Sequence, residues 1–148
     1  MRTLIFDENI QNQNLFVSHL SRFGQVDIEK DAKQGLQKIR TDINCYSLVI
    51  INANFASMEA KELIAMIRDW EHVYSSGNHN IIVVTDKYST TEMLNFYKLG
   101  CNLLLHTPLD KSQFESAIFN SWKNNKMAYL NQFPVDVSKG REESLTAL

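Results

Sequence analysis

Short apolar segments alternate with amphipathic helical segments through most of the chain, and this alternation constrains the fold more than any other feature. The segments with the length and apolar character of β-strands are residues 3–6, 25–29, 46–51, 81–84 and 102–106. Each is followed by a segment with apolar residues at helical spacing. Strict alternation with short connections predicts an α/β fold, a doubly wound parallel five-stranded sheet with helices on both faces.

The strand segments differ in apolar character, and this predicts their places in the sheet. Residues 48–51 and 81–84 are continuously apolar, as is typical of central strands covered on both sides. The segment 25–29 is short and half polar, which favours an edge position. In the helical segments, Trp70 is predicted to face inward, a threonine is predicted to cap the helix that follows Ser89, and Asp110 stands in capping position.

Composition narrows the classes of function. The chain has 148 residues, of which 44% are hydrophobic and 22% charged, with a formal net charge of -2. This composition is that of a single globular domain, and no cluster of Lys and Arg indicates a nucleic-acid partner. No apolar run is long enough to cross a membrane, and the N-terminal apolar run is too short for a signal peptide. We therefore expect a cytoplasmic protein, with Cys45 and Cys101 as free thiols.

Polar residues follow four of the predicted strands, at the edge of a parallel sheet where functional sites form. They are Asp7 and Glu8 after the first strand, Asn52 and Asn54 after the third, Thr85 and Asp86 after the fourth, and His106 and Thr107 after the fifth. Adjacent carboxylates such as the first pair bind Mg²⁺ or a similar hard cation. No glycine-rich phosphate loop or nucleophile elbow is present, and the four histidines are too scattered to indicate a metal site.

Four motifs in this order resemble those of the bacterial response-regulator receiver domain over residues 2–125. The segment LIFDEN resembles the first strand with its acidic pair, and SLVIINANFASMEAKELIAMIR resembles the region of the phospho-accepting Asp. NIIVVTDK resembles the fourth strand with its terminal hydroxyl residue, and LGCNLLLHTPLDKSQF resembles the fifth strand with its Lys-Pro. The resemblance implies a flavodoxin-like (βα)5 fold.

The departures from the family pattern fall on the residues that carry its chemistry. Asn52 stands at the position of the phospho-accepting Asp, Thr107 at that of the Lys, and Leu104 at that of the switch aromatic residue. Asp86 replaces a small residue, whereas Asp7, Glu8, Asn54 and Thr85 keep the acidic pair, the carbonyl ligand and the hydroxyl. A neutral amide is no nucleophile, and Thr107 brings no positive charge to a phosphoryl group. The sequence predicts a pseudo-receiver that is not an enzyme and acts without phosphorylation.

For the individual residues we expect modest roles. Asn52 is predicted to hydrogen-bond nearby loop backbone, and Thr107 to act only as a hydrogen-bonding group. His106 is predicted to point into packing, away from the pocket. No cofactor is required, and a Mg²⁺ site formed by Asp7, Glu8 and Asn54 would be weak because one carboxylate of the family's set is missing.

The partner is predicted to be a protein, with a histidine kinase or another signalling protein and a homodimer as alternatives. The resemblance implies an interface formed by the fourth helix, fifth strand and fifth helix, with Met93, Tyr97, Leu104, Gln113 and Trp122 as candidates. Tyr97 and Trp122 are either interface anchors or core residues, and the spacing leaves both roles open.

Residues 1–130 are predicted to form the receiver-like domain, and residues 131–148 a polar tail or linker. Two alternatives for the function remain. The chain could be the regulatory domain of a longer response regulator that acts as a transcription factor, or a flavodoxin-like protein that binds a small ligand.

Overall fold

The structure, a computed structural model, describes residues 1–74 and 77–131, with the side chains of residues 124–131 left aside. Its strands are β1 (Thr3–Phe6), β2 (Val26–Glu29), β3 (Leu48–Asn52), β4 (Asn80–Thr85) and β5 (Leu103–His106). They form one parallel sheet in the order β2-β1-β3-β4-β5. The predicted fold class is confirmed, and the half-polar segment is the edge strand β2 as expected.

The helices are α1 (Ile10–Leu20), α2 (Ala32–Thr41), α3 (Ala60–Val73), α4 (Thr90–Leu99) and α5 (Lys111–Asn131), with a 3₁₀ turn at Ser21–Phe23. The cap of α4 is Ser89, whose hydroxyl accepts from the Glu92 N–H, so the prediction of a threonine cap was wrong by one residue. Asp110 caps α5 as predicted, because its carboxylate accepts from the Gln113 N–H at 3.0 Å.

Helices cover both faces of the sheet and enclose two apolar clusters. On one face, α1 and α5 pack Phe16 and Phe114 against Ile5 and Ile50. On the other face, the cluster gathers buried side chains from α2, α3 and α4, including Leu36, Leu63, Ile67 and Phe96. The four residues Leu48, Val49, Ile50 and Ile51 of β3 are fully buried, as a central strand requires.

Two glycines permit close contacts that a side chain would prevent. A Cβ at Gly35 would lie 2.2 Å from the Phe6 ring, so α2 can pack on β1 only with glycine at this position. Gly100 ends α4 at φ 114°, in the left-handed region that favours glycine. Gly35 therefore weakens α2 locally but allows it to approach the sheet.

The predicted division of the chain at residue 130 stays a prediction. Helix α5 continues to Asn131, and residues 132–148, which hold nearly all of the predicted tail, lie outside the described residues. None of the described helices is both long enough and apolar enough to cross a membrane.

Candidate functional site

The carboxyl ends of β1, β3 and β4 bring the predicted site residues together. Phe6 of β1 pairs with Ile51 of β3, which places Asp7 beside Asn52. Asn52 in turn pairs with Val84, so that Thr85 follows at the same edge. The strand register therefore puts these three residues at the same edge of the sheet.

Asp7 is fully buried, and its carboxylate is held by hydrogen bonds from neutral donors. The side-chain amide of Asn52 donates to Oδ1 at 3.1 Å, and the Asn9 N–H donates to the same oxygen at 2.9 Å. The Asn12 amide donates to Oδ2 at 3.1 Å. A buried carboxylate needs such donors, because removing it from water without hydrogen bonds is costly.

The orientation of the Asn52 amide is fixed by its two contacts. Its Oδ1 accepts from the Asn54 N–H at 2.9 Å, and its Nδ2 donates to Asp7. Turning the amide over would set oxygen against oxygen and N–H against N–H, so one orientation alone satisfies both neighbours. The predicted bond to loop backbone is confirmed, and the bond to Asp7 was not foreseen.

The acidic pair does not converge on one point. Glu8 is exposed, and its carboxylate accepts from the backbone N–H of Ala56 at 3.2 Å, whereas Asp7 is buried. The Glu8 side chain thus links the loop after β1 to the loop after β3 by a hydrogen bond. Only one carboxylate of the pair faces the interior of the site.

Asn54 and Asp86 contact each other across the site at 3.1 Å, with the Asn54 amide donating. Both side chains are exposed. The direction of Asp86, which sequence could not give, is therefore toward the loop after β3. Its charge lies beside the position where the family carries its acceptor.

Thr85 and Thr107 are both placed by hydrogen bonds of ordinary structural kinds. The hydroxyl of Thr85, which is 4% exposed, accepts from the Lys87 N–H at 3.1 Å. The Thr107 N–H donates to the Thr85 carbonyl at 2.9 Å. Thr107 itself brings none of the positive charge that a Lys at position 107 would supply.

The site as arranged does not fit a tightly bound divalent cation. Such an ion needs several oxygen ligands, yet the Asn52 amide presents its N–H group to Asp7, and Glu8 is turned toward Ala56. Among the described residues, no group of three or more His, Cys, Asp or Glu side chains could hold a metal. A cation at Asp7 would first have to displace the Asn52 amide.

A cavity of about 340 Å³ lies next to the site, between α3 and α4. Phe55 and Phe96 contribute apolar surface to it, and its charged groups are two cations and two carboxylates, from Lys61, Lys87, Glu59 and Glu92. Lys61 is paired with Glu92 at 2.8 Å. Sequence reasoning missed this cavity because its walls come from segments that no motif links.

His106 lies at the same edge, paired with Thr85 in the register between β4 and β5. Its ring stacks on Tyr88 with centroids 4.2 Å apart and an angle of 9° between the planes. His106 is half-buried, and Tyr88 is 70% exposed. The prediction that His106 packs against other side chains is confirmed, although its partner is a loop residue at the surface.

The five interface candidates do not share one exposed surface. Tyr97 is 42% exposed, and its phenol oxygen accepts from the Leu104 N–H at 3.2 Å. Gln113 is exposed, Met93 is half-buried, and Leu104 is buried in the core beneath α4. Trp122 packs on Phe23 with centroids 6.1 Å apart, on the side of α1. The proposed interface stays a prediction: Leu104 is buried, and half-buried Trp122 has a ring contact with Phe23.

A buried ionic network at the opposite edge of the sheet was not foreseen. The Glu71 carboxylate contacts His79 Nδ1 at 2.7 Å and accepts from Arg68 at 2.8 Å. Arg68 also donates to the carbonyl of Gly100, joining α3 to the end of α4. Burial raises the pKa of Glu71, but the hydrogen bonds from His79 and Arg68 outweigh it and hold the pKa below its ordinary value. No motif marks these residues in the sequence.

Known structures resemble the chain over most of its length. A CheY-like response-regulator receiver domain from Methanospirillum hungatei JF-1 has a TM-score of 0.72 and 19% identity, covering 86% of this chain and 97% of its own. A receiver domain from Clostridium thermocellum has a TM-score of 0.72 and 16% identity, covering 86% and 98%. The signal receiver domain of an HD domain-containing protein from Pseudomonas fluorescens Pf-5 has a TM-score of 0.69 and 20% identity, covering 85% and 97%.

These likenesses define the fold of the chain, which is the flavodoxin-like fold of response-regulator receiver domains. The sequence itself matches no protein-family model, and no curated protein matches it either.

Proposed function

We propose that the chain is a pseudo-receiver, a receiver-like signalling module that acts by binding a protein and does so without being phosphorylated. The observation that carries this proposal is the hydrogen bond from the Asn52 amide to the buried Asp7 carboxylate. This bond engages Oδ1 of Asp7, an oxygen that would otherwise be available as a cation ligand.

The chemistry of the site supports the proposal. An amide oxygen is neutral, and the lone pair on its nitrogen is delocalised, so Asn52 cannot attack phosphorus. Thr107 offers no charge to stabilise a transferred group. Compared with the family pattern, this chain lacks both the Asp at position 52 and the Lys at position 107. Losing only one of the two would leave the other charge unpaired, so losing both keeps the net charge of the site nearly unchanged. By this reasoning the chain is a binding module and not an enzyme.

The proposed partner is a signalling protein, such as a histidine kinase, and a second copy of the chain is the alternative. Exposed apolar side chains around α4 support a protein-binding role, because large apolar groups at a surface commonly mark interfaces. Tyr88 is 70%, Leu94 54% and Tyr97 42% exposed. We place the protein in the cytoplasm, propose no nucleic-acid or membrane partner, and propose that it needs no cofactor.

Intact mass after incubation with acetyl phosphate and Mg²⁺ tests the proposal. The unmodified mass is expected, with no hydroxylamine-labile adduct. A gain of one phosphoryl group at an Asp or Glu would contradict it.

A second candidate function is the binding of a small ligand. The cavity of about 340 Å³ beside Thr85, with its Phe55 and Phe96 surface and with both lysines and glutamates in its lining, favours this candidate. A thermal-shift screen of small amphipathic molecules, both anionic and cationic, tests it. A reproducible rise in melting temperature that Phe96→Ala removes would support ligand binding.

A further inference from the structure

A groove runs between α2 and α3, on the surface away from Asn52 and apart from α4, β5 and α5. Its volume is about 550 Å³. The lining residues come from both helices and are Lys33, Leu36, Gln37, Arg40, Thr41, Met66 and Trp70. The motifs that suggested the fold make no use of this surface.

The floor of the groove is apolar. Leu36 is 5% exposed, while Met66 and Trp70 are half-buried and pack against the core on one side only. Trp70 was predicted to be buried; its side chain packs against the core but is only half-buried, because it also lines the groove. Val73 and Tyr74, at the end of α3, are 69% and 50% exposed and extend the apolar surface beyond the groove.

The wall formed by α2 is positively charged. Lys33 and Arg40 are exposed, seven residues apart on one side of the helix, with Gln37 between them. Neither cation has an ion-pair partner among the described residues, unlike Lys38, which is paired with Glu29. Among the described residues, no Asp or Glu lines the groove; the exposed Asp69, next to Trp70 in sequence, does not line it.

We propose that this groove binds an amphipathic helix of a partner protein, with apolar residues against Trp70 and acidic residues against Lys33 and Arg40. Grooves with apolar floors take amphipathic helices by their apolar face, and tryptophan is among the commonest anchors at interfaces. Seven residues span about 10 Å along a helix, which is close to two turns. Two acidic residues seven apart on the bound helix therefore match the two cations. This proposal does not depend on the state of Asn52.

The test uses the full chain and three short fluorescent peptides. The first has one apolar helical face flanked by glutamates spaced seven apart, the second has lysines in their place, and the third has the composition of the first in scrambled order. Anisotropy at low ionic strength is expected to show that the glutamate peptide binds at least about tenfold more tightly than either of the others. The emission of Trp70 should shift on binding, and Trp70→Phe should remove that shift.

Charge variants locate the site. The double change Lys33→Glu with Arg40→Glu should lower the affinity for the glutamate peptide by about tenfold or more and raise the affinity for the lysine peptide. Lys98→Glu with Lys111→Glu makes the same charge change on exposed residues of α4 and α5, and should alter neither affinity. Gln37→Lys adds a cation to the groove wall and should raise the affinity for the glutamate peptide. Circular dichroism checks that each variant is folded.

Several outcomes would overturn the proposal. Equal binding of the glutamate and lysine peptides would show that charge does not select the occupant. If the groove variant and the control variant lose the same amount of affinity for the glutamate peptide, the peptide binds outside the groove. A large gain in affinity on removal of residues 132–148 would show that this chain's own segment fills the groove. If the native chain is a dimer, and the double variant Lys33→Glu with Arg40→Glu is a monomer while the control variant is not, the occupant of the groove is a second copy of the chain.

Discussion

The side-chain amide of Asn52 donates a hydrogen bond to the fully buried carboxylate of Asp7, with 3.1 Å between Nδ2 and Oδ1. The same amide accepts from the Asn54 N–H, so Asn52 links the first acidic residue to the loop after β3. The position at which receiver domains carry a phospho-accepting Asp is thus part of a closed set of hydrogen bonds. A residue that stabilises the site in this way has a structural role that needs no phosphoryl group.

This role predicts a loss of stability when Asn52 is removed. Asn52→Ala should lower the free energy of unfolding by about 1–3 kcal/mol, because Asp7 stays buried with one donor fewer. Asn14→Ala, at an exposed position of α1, is the matched control and should change the stability little. Chemical denaturation measures both. Equal stabilities for the two variants would mean that the Asp7 contact contributes nothing.

The contact also predicts how the site responds to Mg²⁺. The native chain should bind Mg²⁺ only at millimolar concentrations or above, as oxygen sites of low charge do. Asn52→Asp should tighten the binding, because it replaces an N–H donor beside Asp7 by a second carboxylate. Asn14→Asp adds the same charge elsewhere on the surface and should leave the affinity for Mg²⁺ unchanged. If calorimetry gives one affinity for the native chain and Asn52→Asp, residues 7 and 52 do not share a cation site.

Tyr97 makes a different prediction, because it is exposed on one side and bonded to the backbone of β5 on the other. Tyr97→Phe removes the phenol that accepts from the Leu104 N–H and should lower the stability by about 0.5–1.5 kcal/mol. Tyr97→Ala should lower it further, because the ring is lost as well. A partner that uses Tyr97 as an anchor should bind Tyr97→Phe nearly as well as the native chain, and Tyr97→Ala more weakly by over about 1 kcal/mol. If Tyr97→Ala binds the partner with the affinity of the native chain, Tyr97 is not part of the interface.

The buried network of Glu71 predicts part of the acid sensitivity of the fold. The pKa of Glu71 is lowered on folding, so the stability it contributes is fully present above its ordinary pKa of 4.5 and is lost as the pH falls through the folded value. Urea denaturation across this acidic range should therefore show a steeper loss for the native chain than for Glu71→Gln. Glu62→Gln, an exposed change in the same helix, serves as the control and should keep the native slope. Parallel pH profiles for the native chain and Glu71→Gln would show that Glu71 does not titrate as argued.

Much of the fold could be predicted because apolar periodicity carries it. The continuous apolar runs at 48–51 and 81–84 became β3 and β4, and the half-polar run became the edge strand β2. Helix α4 ends at Gly100, a residue type that commonly ends helices. The cap of α4 was misplaced because Ser89 and two threonines follow one another, and all three residues can cap.

The site could be predicted only as a set of residues, without its contacts. Sequence brought Asp7 and Asn52 to one edge, but their hydrogen bond depends on the register between β1 and β3, which no local pattern gives. The pairing of Glu71 with His79 was missed for a similar reason, since these residues are brought together by packing at the start of β4. Trp70 was placed in the core because helical spacing does not distinguish a buried residue from one at the boundary between two helices.

Phosphorylation of a matched set of variants tests the central claim most directly. The set is the native chain, Asn52→Asp, Asn52→Asp with Thr107→Lys, and Asn52→Asp with Thr107→Gln as the neutral control for the longer side chain. After incubation with acetyl phosphate and Mg²⁺, intact mass should show no adduct on the native chain and little on Asn52→Asp. The variant with Lys at position 107 should gain the most, because its charge can stabilise the transferred phosphoryl group. A hydroxylamine-labile phosphoryl group on the native chain would contradict the account.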